Sequence, residues 1–272
     1  MEQLPSVRKR DYNAKARRRS RRLGIAFTIL MAGLAAVAVE AANLPDTIDK
    51  IRPAVVAVGT YSPTASPRQQ FRGTGFVVGN GRFVVTNSHV VPDKVDSEQH
   101  ETIAVFSGRG REARYHPARL IGRDVQHDLA LLSIGTTLPT VKLGDASRAR
   151  EGEEIALTGF PIGMTLGLYP VTHRGIVSAI SPMAPPQMAS KALTSTMIRA
   201  MRDPYDVLQL DVTAYPGNSG SPVYDQNTGQ VIGVVNSVLV KATKEAAIAS
   251  PSGITYAIPV RFVRQLMKTY GL

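Results

Sequence analysis

The feature that most constrains this chain is a long succession of short segments rich in valine and isoleucine. Each segment is bounded by Gly, Asn, Asp or Pro, which is the pattern of β-strands separated by turns. Asn80-Gly81, between two of these segments, is a strong hairpin signal. Long amphipathic helices do not interrupt the segments, so an all-β fold of barrels or sandwiches is expected. The predicted strands cover residues 54–60, 73–79, 82–87, 102–108, 118–124, 129–135, 154–160, 174–180, 207–212, 221–225, 230–240 and 254–260.

The C-terminal end breaks this pattern and predicts one helix over about residues 260–270. Pro259 lies just before it, and proline suits the start of a helix. One side of the predicted helix is apolar, so we expect it to pack on the preceding strands. The residues on this side are Phe262, Val263, Leu266, Met267 and Tyr270.

Most of the positive charge is concentrated at the N-terminus. Residues 1–22 contain nine Lys or Arg against two acidic residues, which gives a net +7 of the chain's +11. The other 250 residues carry the remaining +4 and are only mildly basic. This distribution argues against nucleic acid as a partner and requires a local explanation for the basic tail.

An uncharged stretch from Leu23 to Val39 follows the basic tail. Its 17 residues would extend about 26 Å as a helix, against about 30 Å for the hydrocarbon core of a bilayer. The stretch is marginal as a membrane span and ample for a signal peptide, so residues 23–42 are interpreted as a signal-anchor or signal-peptide segment. The length of the basic tail favours an uncleaved anchor that obeys the positive-inside rule.

Other interpretations of this N-terminus stay open. Small residues at 36–38 and 41–42 could form a cleavage site, and Ser20-Arg21-Arg22 resembles a twin-arginine export signal. A buried core helix behind a basic arm that binds nucleic acid is the alternative to export. Either export interpretation places residues 43–272 in the cell envelope, anchored in the inner membrane with the domain in the periplasm, or released into the periplasm.

The composition also limits the chemistry. The absence of cysteine excludes disulfides, thiol catalysis and cysteine-based zinc sites. The five histidines are scattered, and none has the spacing of a metal ligand to another. We therefore expect neither a metal nor a cofactor.

Three short strings combine into a candidate catalytic site: TNSHVV with His89, HDLALL with Asp128, and YPGNSGSP with Ser219. A serine hydroxyl is a poor nucleophile unless a base takes its proton. Singly, each of these residues is more typical of a turn, a strand end or the surface. Together they follow the chain order His, Asp, Ser of chymotrypsin-type proteases, which differs from the subtilisin and α/β-hydrolase orders.

The chain resembles the HtrA/Deg-type trypsin-like serine proteases over roughly residues 47–265. The resemblance implies an all-β fold of two perpendicular six-stranded antiparallel β-barrels, about 47–141 and about 150–258, with the site in the cleft between them. Residues 43–272 would then be one trypsin-like protease domain. The strings that carry the resemblance are, in order, RPAVVAV, GTGFVV, VVTNSHVV, IGRDVQHDLALL, LGDASRAREGEEI, GIVSAI, LQLDVTAYPGNSGSPV, IGVVNS and ITYAIPV.

The resemblance also implies a role for each site residue. Ser219 would attack the peptide carbonyl, His89 would take and return the proton, and Asp128 would hold the imidazole. The backbone N–H groups of Gly217 and Ser219 would form the oxyanion hole, with Asn218 turning the loop between them. The substrates would be unfolded or envelope proteins. A homotrimer is implied by the family resemblance alone.

Specificity is expected from the pocket that receives the residue before the scissile bond. In trypsin-like enzymes the residue six positions before the nucleophile lies at the base of this pocket, and here it is Thr213. Because no acid stands there to select Arg or Lys, a small or aliphatic residue is the expected preference. Val235, Asn236 and Ser237 match the strand that lines the pocket and pairs with an extended substrate.

Three features of the sequence depart from the family's usual pattern. The sequence ends soon after the protease region, so a PDZ domain is not expected in this chain. Tyr215 stands where the family usually has a small or amide residue. Residues 181–206, rich in Pro and Met, are interpreted either as a surface insertion or as a gate near the pocket.

A membrane-anchored binding or chaperone-like module, with a resting or inactive protease site, is the alternative function.

Overall fold

The computed structural model describes residues 43–145, 149–161, 167–183, 204–236 and 253–272. The basic tail, the predicted signal or anchor segment and Ser237 lie outside the described residues, as does most of the 181–206 segment. Within the described part of the chain, no helix has the length and apolarity needed to cross a membrane.

The first six strands close into a barrel, barrel one, in the order β1-β2-β3-β6-β5-β4, and all neighbours are antiparallel. Its interior is filled by β-branched and leucine side chains such as Val58, Val84 and Leu132. Strands of this composition fit a pleated surface that is packed on its inner face. The strands are β1 Val55–Tyr61, β2 Gln69–Val78, β3 Phe83–Asn87, β4 Thr102–Ser107, β5 Arg114–Asp124 and β6 Leu129–Ile134.

A tight hairpin joins β2 to β3, as the Asn-Gly pair predicted. Gly79 and Gly81 have φ values of +64° and +87°, in the region that glycine adopts without strain. The Asn80 side chain accepts a hydrogen bond from the backbone N–H of Arg82 at 3.2 Å. The turn therefore fixes the register of β3, which ends just before His89.

Six further strands form barrel two in the order β11-β8-β9-β10-β13-β12, and the pairing of β11 with β12 closes it. A short strand, β7, adds to β12 in the parallel direction. The trypsin-like, all-β fold expected from the sequence, with two closed six-stranded barrels, is confirmed. The strands are β7 Lys142–Leu143, β8 Glu154–Gly159, β9 Val171–Pro182, β10 Asp206–Asp211, β11 Pro222–Asp225, β12 Gln230–Asn236 and β13 Ile254–Pro259.

Two α-helices of the described residues flank the barrels. Helix α1, Leu44–Ile51, was not predicted; Asn43 caps it by accepting a hydrogen bond from Asp46 N at 3.1 Å. Helix α2, Val260–Thr269, is the predicted C-terminal helix. Four of its five predicted apolar residues are buried, whereas Tyr270 lies just beyond the helix and is 42% exposed.

A large apolar cluster connects the two barrels and α2. It contains Phe76 of barrel one, Tyr224 and Ile258 of barrel two, and Phe262 and Leu266 of the helix. Burial of this much apolar surface is the main stabilising term for such a joint. The cluster therefore fixes the orientation of each barrel, and with it the loops that carry the candidate site residues.

Candidate active site

His89 lies in a single 3-10 turn, Ser88–Val90, directly after β3. The sequence analysis predicted His89 at the end of a strand. The strand ends at Asn87, because the backbone N–H of Ser88 donates to the carbonyl of Asp128 at 3.0 Å. The imidazole Nδ1 lies 2.6 Å from Asp128 Oδ2. In the neutral ring, Nδ1 donates to the carboxylate and Nε2 keeps its lone pair. The ring is therefore held in the tautomer that can accept a proton at Nε2.

Asp128 occupies an unusual backbone position at the start of β6. Its φ is +52°, which few residues other than glycine adopt, and its side chain is 11% exposed. The side chain of Asn87 donates to its carbonyl at 3.0 Å. Strain of this kind persists where surrounding contacts impose it and is concentrated at functional sites.

The Asp128 carboxylate accepts hydrogen bonds from both sides of the cleft. The backbone N–H of His89 donates to Oδ1 at 3.0 Å, and the side-chain amide of Asn236 on β12 donates to Oδ2 at 2.9 Å. Asn236 was predicted to line the substrate pocket, and that call stays a prediction; the structure adds that its side-chain amide binds the Asp128 carboxylate. Nothing in the local sequence around Asn236 indicates this role, which depends on how β12 lies against barrel one.

Ser219 lies in a glycine-rich loop before β11 and is 6% exposed. Gly217 and Gly220 have φ values of +100° and +86°. The turn is held internally, since Asn218 N donates to Tyr215 O and Ser221 N to Asn218 O, both at 2.9 Å. These glycines, one on either side of Ser219, let the backbone turn sharply at positions where a residue with a Cβ would be strained.

Thr74 on β2 ties this loop to barrel one, a contact that the sequence did not indicate. Its backbone N–H donates to Ser219 O at 2.8 Å, and its hydroxyl donates to Gly217 O at 2.7 Å. The same hydroxyl accepts from Phe160 N at 3.0 Å. Thr74 therefore holds the loop in place from the opposite barrel.

Two buried polar side chains of the loop lie against Gly159. The side-chain amide of Asn218 and the hydroxyl of Ser221 are buried, and neither has a hydrogen-bond partner among the described residues. A Cβ on Gly159 would lie 2.0 Å from Ser221 Oγ and 2.9 Å from Asn218 Oδ1. The absence of a side chain at Gly159 is thus required for these groups to fit.

The predicted pocket residues that the structure describes differ in burial. Val235 is fully buried, and its backbone supports the loop: its N–H donates to Ser221 O and its carbonyl accepts from Gly220 N, both at 2.9 Å. Thr213 is half-buried before the loop, and Ser237 lies outside the described residues.

The rings of Tyr215 and His173 on β9 are 5.9 Å apart. Burial lowers the pKa of His173.

A second His–Asp pair precedes Asp128 in the chain. His127 Nδ1 lies 2.6 Å from Asp124 Oδ2, and the His127 ring stacks on Phe262 of α2 at 3.6 Å between centroids. Burial would raise the pKa of the Asp124 carboxyl, but its hydrogen bonds with His127 outweigh that effect and the pKa lies below its usual value. The pair anchors the turn that leads into Asp128.

Comparison with known proteins shows the family to which the chain belongs. A family model described as "Trypsin-like peptidase domain" matches residues 73–234. A Pseudomonas putida (strain W619) protein named "Probable periplasmic serine endoprotease DegP-like" is 33% identical over 193 residues, which cover 70% of this chain and 33% of that protein. A Halomonas elongata protein of the same name is 31% identical over 197 residues, 72% of this chain and 34% of its own length.

Solved structures give the same result. A structure titled "HtrA-type protease AlgW with tripeptide" matches with a TM-score of 0.61 and 25% identity, covering 84% of this chain and 63% of its own. The chain spans about a third of the length of the curated relatives that it matches. The resemblance to HtrA/Deg-type proteases is confirmed, and the chain belongs to the trypsin-like peptidase domain family.

Proposed function

We propose that this chain is a serine endopeptidase that uses Ser219 as nucleophile, His89 as base and Asp128 as the residue that orients the base. The observation that carries the proposal is the 2.6 Å contact between His89 Nδ1 and Asp128 Oδ2. This contact leaves the other ring nitrogen as the proton acceptor, the arrangement that a triad requires.

In this mechanism Ser219 Oγ attacks the peptide carbonyl while His89 Nε2 accepts its proton. His89 then returns the proton to the leaving amine, and water hydrolyses the acyl-enzyme by the same steps. The backbone N–H groups of Gly217 and Ser219, with Asn218 between them, stabilise the oxyanion. Hydrogen bonds from His89 and Asn236 fix the orientation of the Asp128 carboxylate throughout.

We infer that the substrates are extended segments of unfolded or envelope proteins. Thr213, at the position that matches the pocket base, is uncharged, which supports a preference for small or aliphatic residues before the scissile bond. The relatives named above are described as periplasmic. Together with the apolar stretch from Leu23 to Val39, this supports export of the domain to the periplasmic side, with that stretch as signal or anchor.

The test compares the full-length chain with Ser219→Ala and His89→Ala in the digestion of an unfolded protein, followed by mass spectrometry. Each substitution is expected to lower turnover by on the order of 10⁶, because the triad acts as a unit. Thr228→Ala, which removes an exposed hydroxyl in the turn between β11 and β12, is the control.

The fragment ends test the specificity. Cleavage after Arg or Lys would contradict the pocket assignment while leaving the triad intact. Equal cleavage by the wild type and Ser219→Ala would reject the serine mechanism. No cleavage by any variant would favour the binding or chaperone-like alternative.

A further inference from the structure

Arg123 on β5 makes an unusual set of contacts with the segment that carries His89. Its side chain is 17% exposed, and its guanidinium faces the backbone that follows β3. Nη1 donates to Ser88 O at 2.5 Å and to Ser88 Oγ at 3.1 Å. Nη2 donates to Val91 O at 3.0 Å and to Pro92 O at 2.9 Å. One side chain thus binds both ends of the turn around His89.

A second arginine completes the arrangement. Arg72 Nε, on β2, donates to Val90 O at 3.0 Å. The carbonyls at 88, 90, 91 and 92 therefore all accept from an arginine side chain. The only acid near the Arg123 guanidinium among the described ion pairs is Asp93, at 3.4 Å and 95% exposed, so its salt bridge contributes little.

The turn has little means of holding itself. It is a three-residue 3-10 helix without a side-chain cap, and Val91 N donates to Ser88 O at 3.2 Å. Short 3-10 segments have poor internal hydrogen-bond geometry and leave terminal carbonyls unsatisfied. The direction of the His89 ring depends on this backbone, and its 2.6 Å contact with Asp128 tolerates little displacement.

We propose that Arg123 is a positioning residue for catalysis, whose guanidinium fork fixes residues 88–92 so that His89 remains aligned with Asp128. The inference rests on the proposed role of His89 as the base. Arginine suits this task because its planar guanidinium presents donors from two nitrogens in a fixed geometry. A lysine ammonium is a single point and cannot bind Ser88 O and Pro92 O with separate nitrogens.

The test measures kcat and KM of the full-length chain as wild type, Arg123→Lys, Arg123→Met and Arg119→Lys. Arg119 is an exposed arginine on the same strand and serves as the matched control. We expect Arg123→Lys to lower kcat about 10- to 100-fold with KM within about twofold, because small displacements of a catalytic group have effects of this size. Arg119→Lys should leave both constants unchanged.

Two further measurements separate positioning from general stability. The folded fraction of each variant is followed by thermal unfolding, and the His89 Nδ1 proton is observed by NMR as a downfield resonance that Asp128→Asn removes. Arg123→Lys is expected to stay folded at the assay temperature while this resonance broadens or shifts. Millimolar guanidinium should restore part of the kcat of Arg123→Met but not raise that of the wild type.

The inference is overturned if Arg123→Lys keeps kcat within about twofold of wild type, or if its kcat falls only in proportion to its folded fraction. Should Arg123→Met fail to fold, the lysine variant alone decides. If the wild type cleaves nothing, the proposed function fails and the catalytic role of Arg123 fails with it. The His89 proton then decides the structural part alone: an unchanged resonance in Arg123→Lys rejects the alignment of His89 by Arg123, and a broadened or shifted resonance supports it.

Discussion

At the scale of single residues, the Asp128 carboxylate depends on a donor from the other barrel. Asn236 is 2% exposed, and its amide lies 2.9 Å from Asp128 Oδ2. The prediction that Asn236 lines the substrate pocket stays a prediction, whereas its hydrogen bond to Asp128 could not be predicted from the sequence, because the position of β12 against barrel one is a tertiary property. His89 and Asp128, in contrast, could be predicted as partners because their surrounding strings resemble a known family.

Asn236→Ala is expected to lower kcat/KM by about 10- to 100-fold, because a hydrogen bond to a charged group contributes about 1.5–3 kcal/mol. Steady-state kinetics on a peptide substrate measure the effect. Asn227→Ala, at an exposed position in the turn before β12, is the control. Unchanged kinetics for Asn236→Ala would show that His89 alone is sufficient to orient the carboxylate.

Gly220 occupies a position in the Ser219 loop where a residue with a side chain does not fit. Its φ is +86°, and a Cβ there would lie 2.0 Å from the backbone oxygen of Thr74. Gly220→Ala should therefore lower the free energy of unfolding by about 2 kcal/mol or more and abolish cleavage, since the loop must move away from β2. Gly135→Ala, where a Cβ meets nothing within 4 Å, should leave both properties unchanged. Urea denaturation and an activity assay test the pair.

At the scale of elements, each predicted strand corresponds to an observed one, while lengths and small elements were less predictable. β9 spans Val171–Pro182, longer than predicted, because ladders to β8 and β10 on either side extend it. The two-residue β7 exists only through its pairing with β12. Helix α1 is eight residues long, too short for a clear apolar period to reveal it.

Helix α2 connects to the candidate site through one aromatic residue. Phe262 stacks on His127 and packs edge-on against Tyr205 at 5.2 Å between centroids. Phe262→Leu keeps an apolar side chain but loses these ring contacts. We therefore expect it to lower the free energy of unfolding by about 1–2 kcal/mol. Gln265→Ala, on the exposed side of α2, should change stability by less than about 0.5 kcal/mol. Equal denaturation midpoints for the two variants would contradict a role for the stacking.

At the scale of the whole molecule, the candidate site is assembled from residues of both barrels. His89 and Asp128 come from barrel one, and the Ser219 loop comes from barrel two. Thr74 of barrel one binds that loop, and Asn236 of barrel two binds Asp128. The large apolar cluster beneath holds the barrels in this orientation. Sequence patterns report what is close along the chain, so the separate strings were recognisable, whereas the contacts between barrels were not.

The stability of the whole molecule is expected to fall as the solution becomes mildly acidic. Burial lowers the pKa of His173, and burial followed by the charge of Arg114 lowers that of His116, both from an ordinary value of 6.5. Below about pH 6.5 the unfolded chain therefore binds protons that the folded chain does not, and protonation favours unfolding. This loss ends only when the pH passes below the folded-state pKa values.

Urea denaturation at about pH 7.5 and about pH 5.5 measures this effect, and the wild type should be the less stable at the lower pH. His116→Gln and His173→Gln together remove the titrating groups, so the double variant should lose much less stability on acidification. His173 Nε2 has no hydrogen-bond partner among the described residues, which makes its protonation in place especially unfavourable. A double variant that keeps the full pH dependence of wild type would place the sensitivity in other groups.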